Sequence, residues 1–141
     1  IVDALVATNC PGDHDQQRLR LLAAVIDQLP AGEQVTWWAH NPQHDLARSQ
    51  MRMGGTLLAL EIAGGTDACR SLLSTLRLAR PATSFGGPET LICHPATAIQ
   101  VGVSDDELTA TGVTDGLLRV SVGLENVDDL VADFTAALDA L

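Results

Sequence analysis

Thr114-Asp115-Gly116-Leu117-Leu118-Arg119-Val120-Ser121-Val122-Gly123-Leu124-Glu125 alternates like a strand. With a period of two, Leu118, Val120 and Val122 share one face, and Leu117, Arg119 and Ser121 share the other. The first set can be buried while Arg119 points elsewhere. Asp115-Gly116 is a turn pair before the strand, and Gly123 releases it ahead of a helix beginning near Asn126. Two readings are open to Arg119. On a short, rigid strand a guanidinium can hold a planar carboxylate in a bidentate fork, or it can be an edge-strand arginine with a solvated head.

Working outward, Val127, Leu130, Val131, Phe134, Ala137, Leu138 and Leu141 form the apolar stripe of a helix over 126–141, with Asp128 and Asp129 at its positive end. Upstream, Ser104-Asp105-Asp106-Glu107 carries a capping-box pattern that opens a short helix. Glu89 to Cys93 predicts a strand stopped by Pro95. Before it, Ser84 precedes Gly86-Gly87, a turn in which the hydroxyl and nearby backbone donors either face a small anion or satisfy the turn itself. A helix from Thr66 or Asp67 to Leu78 buries Cys69, Leu72, Leu73 and Leu76, and Pro81 prevents its continuation. Thr56 to Ile62 is a strand, Gln43 to Met51 a helix ended by Gly54-Gly55, Glu33 to Ala39 a short strand, and Asp13 to Leu29 a helix. In the strand at 33–39, Trp37 and Trp38 point to opposite sides. One of them lies outside a single core, at an interface or on a rim.

This order predicts an α/β (α+β) small domain, a sheet of about four mainly antiparallel strands with helices on one face. The other face is left for a partner or a site.

The 141 residues suit one domain. There are 8 basic against 18 acidic residues, a formal charge of −10 that disfavours nucleic acid and anionic membrane surfaces. No apolar run reaches the ~20 residues of a spanning helix. The start lacks the basic leader of a signal peptide, so a cytoplasmic protein is expected. Opening on Ile1 suggests part of a longer polypeptide. Cys10, Cys69 and Cys93 are expected as reduced thiols. All eight basic residues are arginines, so chemistry needing a lysine amine must borrow it. His40 and His44 have helical ligand spacing, but Pro42 interrupts the turn and a metal site is not expected. Cys93 and His94 are strand neighbours facing opposite ways, which rules out a thiol–imidazole dyad.

Taken together, Pro42-Gln43-His44-Asp45-Leu46-Ala47-Arg48, Ser84-Phe85-Gly86-Gly87 with Glu89-Thr90-Leu91-Ile92, His94-Pro95-Ala96, and Gly112 to Glu125 resemble the C-terminal domain of the Cys/Met metabolism family. These are the pyridoxal-phosphate enzymes that include cystathionine γ-synthase, the cystathionine lyases and methionine γ-lyase. The resemblance implies a fold-type-I C-terminal domain over 18–141, residues 1–17 as a connecting segment, and a large cofactor domain absent from this sequence. It also implies that Arg119 binds the substrate α-carboxylate and that Ser84 helps position it. Thr83 replaces a glutamate common in the family, and Thr97-Ala98-Ile99-Gln100 replaces Ser-Met-Thr-His.

The resemblance thus implies part of a carbon–sulfur lyase or γ-synthase for a cysteine-, cystathionine- or methionine-type substrate. Pyridoxal 5′-phosphate would come from a large domain in cis or trans, and the complete enzyme would be a homo-oligomer. With the Schiff-base lysine absent, the chain alone is expected to be inactive. Two alternatives stay open: a stand-alone remnant that binds a partner, and a lyase domain from a larger biosynthetic protein.

Overall fold

The computed structural model describes residues 44–50 and 57–141. The helix expected at 13–29, the strand at 33–39 with its tryptophans, the segment 1–17, His40 and the Gly54-Gly55 stop lie outside them. In chain order the described elements are α1 (His44–Gln50), β1 (Leu57–Glu61), α2 (Gly65–Thr75), β2 (Arg80–Pro81), β3 (Leu91–Cys93), α3 (Pro95–Ala98), α4 (Asp105–Ala110), β4 (Leu117–Ser121) and α5 (Val127–Asp139).

The sheet has the order β1-β4-β3-β2. β4 is therefore central, antiparallel to both β1 and β3. The short β2, which the sequence did not suggest, pairs parallel with β3 and makes the sheet mixed. Its few residues are exposed and have no alternation to betray them. No helix among the described residues is long and apolar enough to cross a membrane.

Alternation places the core as expected. Leu118, Val120 and Val122 are buried with Leu58, Leu60 and Ile62 from β1 and its exit, and with Ile92 of β3. Against this face pack Cys69 and Leu72 of α2 and Leu130, Phe134 and Ala137 of α5. Burying each large side chain is worth about 1.5–3 kcal/mol, which holds both helices on one face of the sheet.

α2 ends at Thr75, three residues before the expected Leu78. The cause is Asp133 of α5, whose carboxylate accepts from the backbone nitrogens of Arg77, Leu78 and Ala79 at 2.9, 2.9 and 3.2 Å. Those donors are drawn to the side chain instead of to the helix ladder. α5 opens on Asn126, whose Oδ1 accepts from Asp128 N–H at 2.8 Å. α4 has the expected capping box: Ser104 N–H donates to Glu107 at 3.2 Å, and Glu107 N–H donates to Ser104 Oγ at 3.4 Å. Hydrogen bonds from Ser104 hold the Glu107 carboxyl below its ordinary value. Pro95 stops β3 and also starts α3, because its fixed φ suits a first helical position.

Two glycines bracket β4 where the backbone allows no side chain. At Gly116 a Cβ would strike the Ile62 carbonyl, and at Gly123 it would come within 2.6 Å of the Pro88 carbonyl. Both approaches are bonded: Ile62 N–H to Gly116 O and Leu124 N–H to Pro88 O, each at 2.9 Å. The ends of the central strand are thereby pinned to β1 and to the entry of β3.

Candidate functional site

The sheet face opposite the helices carries the other parity. On it Arg119 stands in the middle strand, level with Ala59 of β1 and Cys93 of β3. Above it passes the segment leaving β2. Ala82 N–H still bonds to Ile92 O at 3.0 Å, after which the chain turns over the sheet.

That turn brings together the two residues the family resemblance singled out. Arg119 Nη2 donates to the Ser84 carbonyl at 3.2 Å. The Ser84 hydroxyl accepts from Gly86 N–H at 3.1 Å and from the Ser121 hydroxyl at 3.4 Å. Gly86 has φ +147, a conformation that favours glycine and lets the chain double back over its own serine. Ser84 thus satisfies its own turn and also contacts Arg119, through its carbonyl.

Three surroundings define the guanidinium. The Phe85 ring lies under it, 4.7 Å from Cζ to the ring centroid. Cys93 lies beside it; burial pushes this thiol up from its ordinary value, against the opposing charge and hydrogen bond of Arg119. Among the described residues no carboxylate pairs with it. A half-buried guanidinium that meets no carboxylate among the described residues can receive an anion, and its planar donor fork matches a carboxylate.

His94 has a different task. It is buried, with Nε2 2.8 Å from the Asp115 carbonyl and Nδ1 2.9 Å from Thr97 Oγ1. A carbonyl only accepts, so Nε2 carries a proton and donates it to Asp115 O, while Nδ1 meets the Thr97 hydroxyl. The ring ties α3 to the turn before β4. As the alternation required, His94 and Cys93 engage different partners.

Cys69 is fully buried, as its place on the apolar stripe required, and its thiol donates to Gly116 O at 3.3 Å. Burial, and then the charges of Glu61 and Asp115, push its pKa up to about 11.

Sequence reasoning missed Phe85 and Cys93 as neighbours of Arg119. Cys93 could have been found from strand parity once β3 and β4 were paired. Phe85 carried a fainter signal: one of only two phenylalanines, placed in a turn where no core awaits it.

The family model described as Cys/Met metabolism PLP-dependent enzyme matches residues 13–139. An L-methionine gamma-lyase of Porphyromonas gingivalis is 43% identical over 122 residues, covering 85% of this chain and 31% of that protein. An L-methionine gamma-lyase of Brevibacterium aurantiacum is 49% identical over 123 residues, covering 84% and 29%. The crystal structure of cystathionine gamma synthase from Xanthomonas oryzae pv. oryzae, in complex with aminoacrylate and cysteine, superposes with a TM-score of 0.78 at 34% identity, covering 90% of this chain and 33% of that one. The chain spans about a third of the length of the relatives it matches. By family model, relatives and fold alike, it belongs to the Cys/Met metabolism PLP-dependent enzymes.

Proposed function

We propose that this chain is the C-terminal, substrate-closing domain of a carbon–sulfur lyase or γ-synthase, with Arg119 holding the α-carboxylate of a sulfur amino acid. The observation that carries the proposal is the half-buried guanidinium of Arg119, braced by the Ser84 carbonyl and facing no carboxylate among the described residues. Relatives that are methionine lyases, and a related synthase solved with cysteine and aminoacrylate, support the substrate class.

The family's cofactor does not fit on this chain alone. Its eight basic residues are all arginines, so no side-chain amine is available to hold pyridoxal phosphate covalently. The cofactor would be held by a large domain in cis or trans, where it supplies electron withdrawal from the substrate α-carbon. The present residues bind and orient. Arg119, carried on the rigid central strand, takes the carboxylate in its donor plane, and Ser84, in the turn after β2, holds the arginine. The assembled enzyme is read as a cytoplasmic homo-oligomer.

The test is Arg119→Lys in the enzyme with its large domain, assayed with L-methionine and L-cystathionine. Losing the bidentate fork should raise KM about 10- to 100-fold, with kcat changed far less. An unchanged KM for both substrates removes Arg119 from carboxylate binding.

A further inference from the structure

Phe85 is 80% exposed, the most exposed of the large apolar side chains among the described residues. It stands in a turn where Cβ atoms added to Gly86 and Gly87 would meet nothing within 4 Å. A ring in that position gains little from the core, yet it meets the guanidinium of Arg119 at 4.7 Å.

The directions of the interactions explain how this contact serves the site. An aromatic ring attracts a guanidinium over its own face, and a planar guanidinium can stack flat on it. A carboxylate binds the same cation in its plane, through the N–H edge. The two engagements lie at right angles and do not compete. The Ser84 carbonyl already takes one in-plane donor at 3.2 Å. A long arginine side chain, otherwise free to rotate, is therefore held by the Phe85 ring and the Ser84 carbonyl together before any ligand arrives. Ser84 and Phe85 are consecutive, so a single turn supplies both fixings, and the φ +147 of Gly86 sets that turn.

We propose that Phe85 is a positioning residue for Arg119, its ring stacking the guanidinium so that the outer N–H edge is presented to the substrate α-carboxylate. The proposal rests on the carboxylate-binding reading of Arg119 and adds to it, because a fork does not by itself require an aromatic neighbour.

The experiment compares Phe85→Leu, Phe85→Ala and Phe85→Tyr with Arg119→Lys in the enzyme joined to its large domain. Steady-state kinetics use L-methionine and L-cystathionine. Inhibition by 4-(methylthio)butanoate, which keeps the carboxylate and lacks the reacting amine, reads carboxylate binding without chemistry. Phe85→Leu and Phe85→Ala should each raise KM and this inhibition constant about 5- to 10-fold with kcat within about twofold, and Phe85→Tyr should restore parental values. In an Arg119→Ala background the Phe85→Leu effect should vanish. Parental KM and inhibition constant in Phe85→Leu, alongside a strong effect of Arg119→Lys, would overturn the positioning role and leave the carboxylate reading intact. No effect from Arg119→Lys would remove the carboxylate reading and the Phe85 proposal with it.

Discussion

Glu125 accepts two hydrogen bonds from Thr90, one from its backbone nitrogen at 2.6 Å and one from its hydroxyl at 2.7 Å. The same hydroxyl accepts from Gly123 N–H at 2.9 Å. Thr90 is fully buried, so this small network joins the entry of β3 to the exit of β4 through a hydroxyl that solvent does not reach.

Acid should therefore loosen that corner. Burial alone would raise the Glu125 pKa, but the hydrogen bonds from Thr90 outweigh it and hold the carboxyl below its ordinary 4.5. A depressed folded pKa stabilises above the unfolded value of 4.5, and that contribution is lost as pH falls through the folded value. In Glu125→Gln the decline of stability with falling pH below 4.5 should be shallower than in the parent. Urea midpoints at several pH values read this, and parallel pH profiles would refute it. Thr90→Val, which keeps the shape and strands Gly123 N–H, should cost about 1–3 kcal/mol at neutral pH.

Asp133→Ala should destabilise by about 1–2 kcal/mol, measured by thermal or denaturant unfolding, because three backbone N–H groups after α2 lose a charged acceptor. Asp133→Asn keeps one acceptor oxygen and should fall between. If Asp133→Ala unfolds at the parental midpoint, water serves those donors equally well.

Cys69 should resist alkylation in the native protein. It is fully buried with a pKa near 11, so the reactive thiolate is scarce at neutral pH. Mass spectrometry of the digest after a pulse of iodoacetamide should show Cys69 labelled only once denaturant is present. Rapid native labelling would mean that α2 opens away from β4.

Gly116→Ala should be among the most damaging single-methyl changes, costing about 2 kcal/mol or more, since the added carbon meets the Ile62 carbonyl and the Glu61 side chain. The readout is soluble yield and thermal midpoint. The control is Gly87→Ala, whose added Cβ meets nothing within 4 Å.

Much of this was legible in the sequence because it was written in periods. Leu118, Val120 and Val122 alternate, and all three are fully buried. The stripes of α2 and α5, except for Leu141, which lies past the end of α5 and is exposed, follow from equally local rules, as do the Ser104–Glu107 capping box and the burial of Cys69. β2 could not be read, since Arg80 and Pro81 show no pattern and pair only because the chain happens to pass β3. The end of α2 was misplaced because its cause, Asp133, is distant in sequence. Thr90 looked like part of a strand, and only the tertiary structure reveals it as the hub between Glu125 and Gly123. At the candidate site, family resemblance singled out Arg119 and Ser84 as expected binding residues. Their contact was not legible, because it depends on how the turn after β2 crosses the sheet.

The central place of β4 also bears on how the polypeptide leaves the ribosome. β1 and β3 do not pair with each other; Leu57 and Leu91 both pair with Ser121. While residues 57–93 emerge, the apolar rows of Leu58, Leu60 and Ile92 have no strand between them to complete a ladder. Closure waits for synthesis to pass Ser121, so the sheet forms late and through contacts remote in sequence. Until then β1 and β3 each lack the strand that lies between them in the finished sheet, so the two halves of the apolar face are joined only by the last third of the chain.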